Sequence, residues 1–174
     1  MIQKKICMLG GFGVGKTSLV SRFVHSIFSD KYLTTLGVKI EKKSIDLGTQ
    51  QVDLMLWDLH GEDEFQKLQM SYLRGSSGYL LVADATRRST LDTALMLHAK
   101  AKWAIGDVPV MLAINKTDLD GTWELDGAAM DQLKCPVVKT SAKTGDQVNE
   151  TFAALARAML DGRSLGEGGV GQVT

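Results

Sequence analysis

The chain has 174 residues, enough for one domain with a full hydrophobic core and no need of disulfide or metal staples. Its 44% hydrophobic and 23% charged content is that of a soluble globular protein, which excludes disordered and fibrous classes. Twenty basic residues balance twenty acidic ones, so no net field draws it to nucleic acid or an anionic membrane surface.

Ile2 to Leu9 reads as a strand ending in the apolar run Ile6-Cys7-Met8-Leu9. Gly10 to Thr17, GGFGVGKT, follows as a full match to the phosphate-cradle pattern G-x-x-x-x-G-K-[ST]. A helix from Lys16 to about Ser26 comes next, with Leu19, Val20, Phe23, Val24 and Ile27 as its apolar positions. Strand, glycine loop and helix are the setting in which this pattern works. Glycines let the backbone turn its N–H groups inward, and the helix adds its positive dipole end. Phe12, Gly13, Val14, Gly15, Lys16, Thr17 and Ser18 are therefore candidate phosphate-binding residues. Lys16 offers a point charge to β- and γ-phosphates, and Thr17 a hydroxyl to Mg²⁺.

Val38 to Leu47 and Val52 to Asp58 read as a hairpin closed around Gly48-Thr49. Val52, Leu54 and Leu56 alternate with Asp53, Met55 and Trp57, whereas Lys42 to Ser44 interrupts the first arm. That marks an edge strand with one wet face, and Lys42-Lys43 reads as a solvated pair. Asp58-Leu-His-Gly61 follows the second arm of the hairpin. An aspartate opposite a phosphate loop can hold Mg²⁺ through a water, and Gly61 can offer its amide to a γ-phosphate.

Gly78 to Ala85 and Val108 to Asn115 are nearly continuous apolar runs, as in strands buried on both faces of a parallel sheet. Between them Ser89-Thr-Leu-Asp92 reads as a capping box for a helix over Leu91 to Ile105. A weaker helix over Asp126 to Leu133 and a strand over Pro136 to Lys139 follow. Thr144-Gly-Asp-Gln147 then caps a last helix with Val148, Phe152, Leu155 and Met159 on one face, ending at Gly162. From Arg163 the chain is Gly-rich and aperiodic, a tail or linker. His25 and His98 fall within helices and read as surface residues.

Six strands with about five helices predict an α/β fold of three layers, a mostly parallel sheet with one antiparallel hairpin arm at its edge. Residues 1–162 make the domain and 163–174 the tail. Ligands bind such sheets beyond the carboxyl ends of the strands, where the motifs fall. Cys7 and Cys135 read as small core side chains and fit a reducing, cytoplasmic setting. No stretch is long and apolar enough to span a membrane, and no lipid-anchor signal is read at either end.

Asn115-Lys-Thr-Asp118 ends the fifth strand and Ser141-Ala-Lys143 follows the sixth. A carboxylate can accept two hydrogen bonds from guanine, at N1–H and the exocyclic amine. Adenine has no such donor pair, so a site built on Asp118 rejects it. The ordered set of phosphate loop, D-x-x-G, N-K-x-D and S-A-K is highly specific.

With these motifs the chain resembles the Ras superfamily of small GTPases over Met1 to Gly162, and most closely the Rab branch. Trp57-Asp58, Phe65, Ser71-Tyr-Leu-Arg-Gly75 and Thr35-Leu-Gly-Val38 are similar to Rab residues in the same order. The resemblance implies a P-loop G domain that binds GTP or GDP with Mg²⁺ and acts as a monomeric switch. Thr17, Thr35 and Asp58 would serve the metal, and Thr35 and Gly61 would sense the γ-phosphate. Thr34 competes with Thr35, but the spacing to Gly37-Val38 favours Thr35. Asn115 would meet guanine N7, Asp118 its donor edge, and the Ala142 amide its O6, with Ser141 and Lys143 flanking. Lys116 and Phe28 would sandwich the base, a reading of Phe28 favoured over that of a buried helix-end aromatic. Trp57 and Phe65 read either as packing or as an effector-reading surface. An effector would dock on the switch loops and the 38–47 strand, and an activator and an exchange factor are implied.

Two departures stand out. Glu62 follows the D-x-x-G glycine, where hydrolysing relatives carry a water-orienting glutamine. A carboxylate cannot donate that hydrogen bond, and with an ordinary pKa near 4.3 it is a weak base at neutral pH. Phe12 stands where relatives carry a small residue, so its ring would obstruct both a water-positioning side chain and an arginine finger. Lys16, Thr35, Gly61 and Glu62 are the candidate catalytic positions, and slow hydrolysis is expected. The rival reading is a GTP/GDP-binding scaffold with negligible hydrolysis. His60 precedes the motif glycine and reads as a solvated residue.

Overall fold

A computed structural model describes residues 1–28, 37–59, 70–119, 121–125, 127–131 and 133–162. The expectations for Thr34, Thr35, His60, Gly61, Glu62, Phe65 and the 163–174 tail lie outside the described residues. Within them, six strands are β1 (Ile2–Gly10), β2 (Val38–Asp46), β3 (Gln51–Leu59), β4 (Gly78–Asp84), β5 (Val110–Asn115) and β6 (Val137–Lys139). Four helices, α1 (Lys16–His25), α2 (Arg88–Ile105), α3 (Gly127–Met130) and α4 (Val148–Asp161), complete the described elements.

The strands form one sheet in the order β2-β3-β1-β4-β5-β6, parallel throughout except for the β2–β3 hairpin. This is the expected α/β architecture, with β2 at the edge. From β1 the chain goes first to the β3 side and then to the β4 side, which opens a crevice at the carboxyl end of β1. Period-two alternation sends neighbouring residues to opposite faces. Ile6, Met8, Leu80, Val82, Met111 and Ala113 pack under α1 and α4, where the Phe23 and Phe152 rings stack at 4.2 Å. Cys7, Leu9, Tyr79, Leu81, Leu112 and Ile114 pack under α2, against Leu91, Ala94, Leu97 and Ala101.

Several local expectations are corrected. Ser89 to Asp92 does not cap α2: the helix already begins at Arg88 and has no side-chain cap at Arg87. A distant carboxylate replaces it, Glu124 Oε2 accepting the Arg88 amide at 2.8 Å. Helix α1 ends at His25, with Ser26 in the left-handed region, so Ile27 lies beyond it and is exposed. The weak helix shortens to the single turn of α3. Gln147 rather than Thr144 precedes α4, and Thr144 Oγ1 instead accepts the Asp146 amide in a local turn. Lys42 and Lys43 are not simply solvated: Lys42 pairs with Asp53 at 2.6 Å, and Lys43 bonds the Phe23 carbonyl over its ring. His98 is half-buried, its Nδ1 2.8 Å from the Tyr79 hydroxyl.

Candidate functional site

Between the end of β1 and the start of α1, residues 11–15 turn in a loop at the carboxyl end of the sheet. Gly15 enters α1 at φ 102°; no side chain caps the helix and its first turn holds no acidic residue. The positive dipole end therefore faces the loop with no acidic residue in the helix's own first turn to offset it. A Cβ on Gly15 would lie 2.2 Å from Asn115 Nδ2, so glycine is what lets the loop meet the end of β5. Lys16 is 7% exposed and donates from Nζ to the carbonyls of Gly10 (2.7 Å) and Gly11 (3.2 Å). Burial lowers its pKa to about 8, against the Asp58 carboxylate that favours the charged form. A cation held this way gains from an anion at the loop.

Asp58 ends the pairing of β3 with β1, opposite Met8, and is fully buried. Its Oδ2 accepts the Thr17 hydroxyl at 2.5 Å, which brings two of the three expected metal residues together. A hydroxyl and a carboxylate beside a phosphate cradle suit Mg²⁺, which takes one or two protein oxygens and completes its shell with phosphates and water. No cluster of three or more His, Cys, Asp or Glu suited to a metal occurs among the described residues.

Behind the loop lies a cleft of about 120 Å³. Gly15, Ser18, Phe28, Asn115, Lys116, Asp118, Ala142 and Lys143, all expected from the motifs, line it together with Leu119. Ser141 stands behind, its hydroxyl donating to Asp118 Oδ1 at 2.7 Å and accepting the Thr144 amide at 3.1 Å. Asn115, 1% exposed, is a brace: Nδ2 donates to the Val14 carbonyl (3.0 Å), while Oδ1 accepts the Ala142 amide (3.2 Å) and the Thr140 hydroxyl (3.3 Å). One amide thus joins the phosphate loop, β5 and the S-A-K loop. Phe28 is half-buried: it packs against the core under α1 and also lines the cleft. Trp57 is half-buried, with Lys5 Nζ 3.8 Å above its ring and Tyr72 beside it.

Other residues at the site escape motif reasoning. Lys116, in the left-handed region at φ 66°, sends Nζ to Asp84 Oδ2 at 2.9 Å. Burial pushes the Asp84 carboxyl up, but hydrogen bonds from Thr86, Lys116 and Arg87 outweigh it and hold the pKa below the ordinary value. An aspartate ending the apolar run of β4 was the available signal. Arg22 of α1 donates from Nε to the Ala142 carbonyl at 2.8 Å and bonds the Lys143 carbonyl; nothing in its local sequence marks it. The Phe12 ring is 65% exposed, while its carbonyl accepts Arg87 Nη2 at 2.9 Å.

A phosphate loop between β1 and α1, opening into a cleft over β5 and the S-A-K loop, defines a P-loop nucleotide-binding protein. The sequence matches the Ras family over residues 5–161, and the chain belongs to that family of small GTPases, GTP-binding switches. Ras-related protein SEC4 of Saccharomyces cerevisiae is 32% identical over 161 residues, covering 90% of this chain and 75% of the relative. Ras-related protein Rab-4A of Homo sapiens is 34% identical over 168 residues, covering 94% and 77%. Ras-related protein Rab-1A of Dictyostelium discoideum is 31% identical over 157 residues, covering 87% and 78%. The similarity places the chain on the Rab branch. No helix among the described residues is long and apolar enough to cross a membrane.

Proposed function

We propose that residues 1–162 form a G domain that binds GTP and GDP with Mg²⁺, hydrolyses GTP slowly, and acts as a monomeric cytoplasmic switch. The observation that carries this reading is one cleft in which Asp118 and the phosphate loop meet, through Gly15 and Ser18. Asp118, oriented by Ser141, accepts from the N1–H and exocyclic amine of guanine; Lys116 and Phe28 cover the base faces. The Ala142 amide already donates to Asn115, so it serves guanine O6 as a shared donor, and Asn115 adds its bracing to any contact at N7. The loop amides, the α1 dipole and Lys16 take the phosphates. Thr17 and Asp58, with Thr35, hold Mg²⁺, which supplies neutralising charge on the phosphates when bound.

Thr35 and Gly61 respond to the γ-phosphate, and the segments around them, with β2, present the surface an effector reads. An exchange factor and an activator act on the same face. Glu62 lacks the donor that orients water, and Phe12 crowds the approach of an arginine finger, a device worth about 10³ to 10⁵ in rate. Exposure of the Phe12 ring supports the second reading, a scaffold with negligible hydrolysis. Nucleotide copurifying with the protein, followed by single-turnover hydrolysis with Mg²⁺, tests both. We expect bound GDP or GTP, slow turnover by the wild type, and acceleration by Glu62→Gln and Phe12→Gly. Ordinary small-GTPase turnover by the wild type, slowed by both changes, would contradict the role assigned to Glu62 and Phe12.

A further inference from the structure

We infer that Arg87 is a positioning residue for the phosphates: through the Phe12 carbonyl it sets the direction of the Gly13 amide, and through Asp84 it ties that setting to the base-recognition loop. The inference rests on the guanine-nucleotide reading above and extends it to residues outside every recognised motif.

Arg87 lies between β4 and α2, one residue before the helix starts. Its guanidinium forks: Nη2 donates to the Phe12 carbonyl at 2.9 Å, and Nε to Asp84 Oδ2 at 3.0 Å. Asp84 is 1% exposed and fixed on every side. Its Oδ1 accepts the Thr86 amide (2.9 Å) and hydroxyl (2.7 Å), and the oxygen that takes Arg87 also takes Lys116 Nζ at 2.9 Å. A single carboxylate therefore anchors a cation from the phosphate loop's neighbour and a cation from N-K-x-D.

No peptide bond among the described residues is cis. In a trans peptide the carbonyl of one residue and the N–H of the next point in opposite directions. Arg87, by drawing the Phe12 carbonyl to itself, directs the Gly13 N–H to the opposite side of the peptide, away from the guanidinium. The contact is close: a Cβ placed on Gly13 would lie 3.4 Å from Arg87 Nη2. A charged donor on the carbonyl also polarises the peptide, which makes the opposite N–H the stronger donor to an anion. Planar, two-pronged geometry is what the job requires, and lysine cannot supply it.

The test compares wild type, Arg87→Ala and Arg87→Lys in titrations with GMP, GDP and a non-hydrolysable GTP analogue in the presence of Mg²⁺. Arg87→Ala is expected to weaken GDP and the analogue about tenfold, the scale of a charged hydrogen bond at a half-exposed site, and to leave GMP within about twofold. Arg87→Lys is expected to recover only part of the loss. In the GDP complex the Gly13 amide resonance should move upfield in Arg87→Ala. Equal losses for all three ligands, or no loss for any, overturns the role of Arg87. The wild-type preference for GTP over ATP, read in the same titrations, tests the underlying reading separately. If that preference is absent, the site is not a guanine site; if it is intact, failure falls on Arg87 alone.

Discussion

Gly15 carries more of the site than a consensus letter conveys. Its φ of 102° belongs to the left-handed region, and the missing side chain leaves room for Asn115 Nδ2, which donates to Val14 beside it. Gly15→Ala must pay backbone strain of about 1–3 kcal/mol and push Asn115 off its brace. For a domain of this size, about 2 kcal/mol lowers the melting temperature by roughly 4–8 °C. A thermal melt of the variant measures this; an unchanged midpoint would mean that the loop and β5 relax apart freely. Residues such as Gly15, Lys16, Asn115 and Asp118 were legible in the sequence because their chemistry demands one residue type at one spacing. Asp84 and Arg87 were not, since each depends on partners that only the folded sheet brings near: Lys116, 32 residues beyond Asp84, and Phe12, 75 residues before Arg87.

Elements were legible where hydrophobic period decides them and less so where polar ends do. The apolar runs of β4 and β5 and the buried stripe of α4 fall close to where they were expected. Helix α2 begins earlier than its local signal because Glu124, 36 residues away, accepts the Arg88 amide. Glu124→Ala should remove that remote cap and cost about 1 kcal/mol in a denaturation curve; a cost indistinguishable from zero would show that water replaces it.

The same helix holds His98 against Tyr79 of β4. Burial, with Lys102 nearby, lowers the His98 pKa, while Asp107 opposes the shift. The unfolded chain therefore takes up the His98 proton near pH 6.5, before the folded one does. Stability contributed by the neutral ring is complete above that pH and falls as the pH drops toward the lowered folded value. His98→Phe should flatten the loss of stability below pH 6.5, measured by denaturant melts across pH. An unchanged slope would exclude His98 as its source.

At the scale of the molecule, alternation along β1, β4 and β5 divides the core into a layer under α1 and α4 and a layer under α2. That much follows from continuous apolar strands, which must be covered on both faces. Strand order does not follow from any one segment. It emerges when β3 and β4 pair on opposite sides of β1, and that divergence places the phosphate loop beside the carboxyl ends of β3, β4 and β5. The base cleft is legible as motifs, but its bracing by Asn115, Arg22 and Thr140 is a product of packing across separate loops.

Competitive titration of the nucleotide-free protein with GTP and ATP in Mg²⁺ reads the whole arrangement most directly. A carboxylate that a bound base would cover and that requires two donors should discriminate by about 10⁴-fold or more in favour of GTP. Equal uptake of the two nucleotides would contradict the assignment of Asp118 as the guanine reader, and with it the switch.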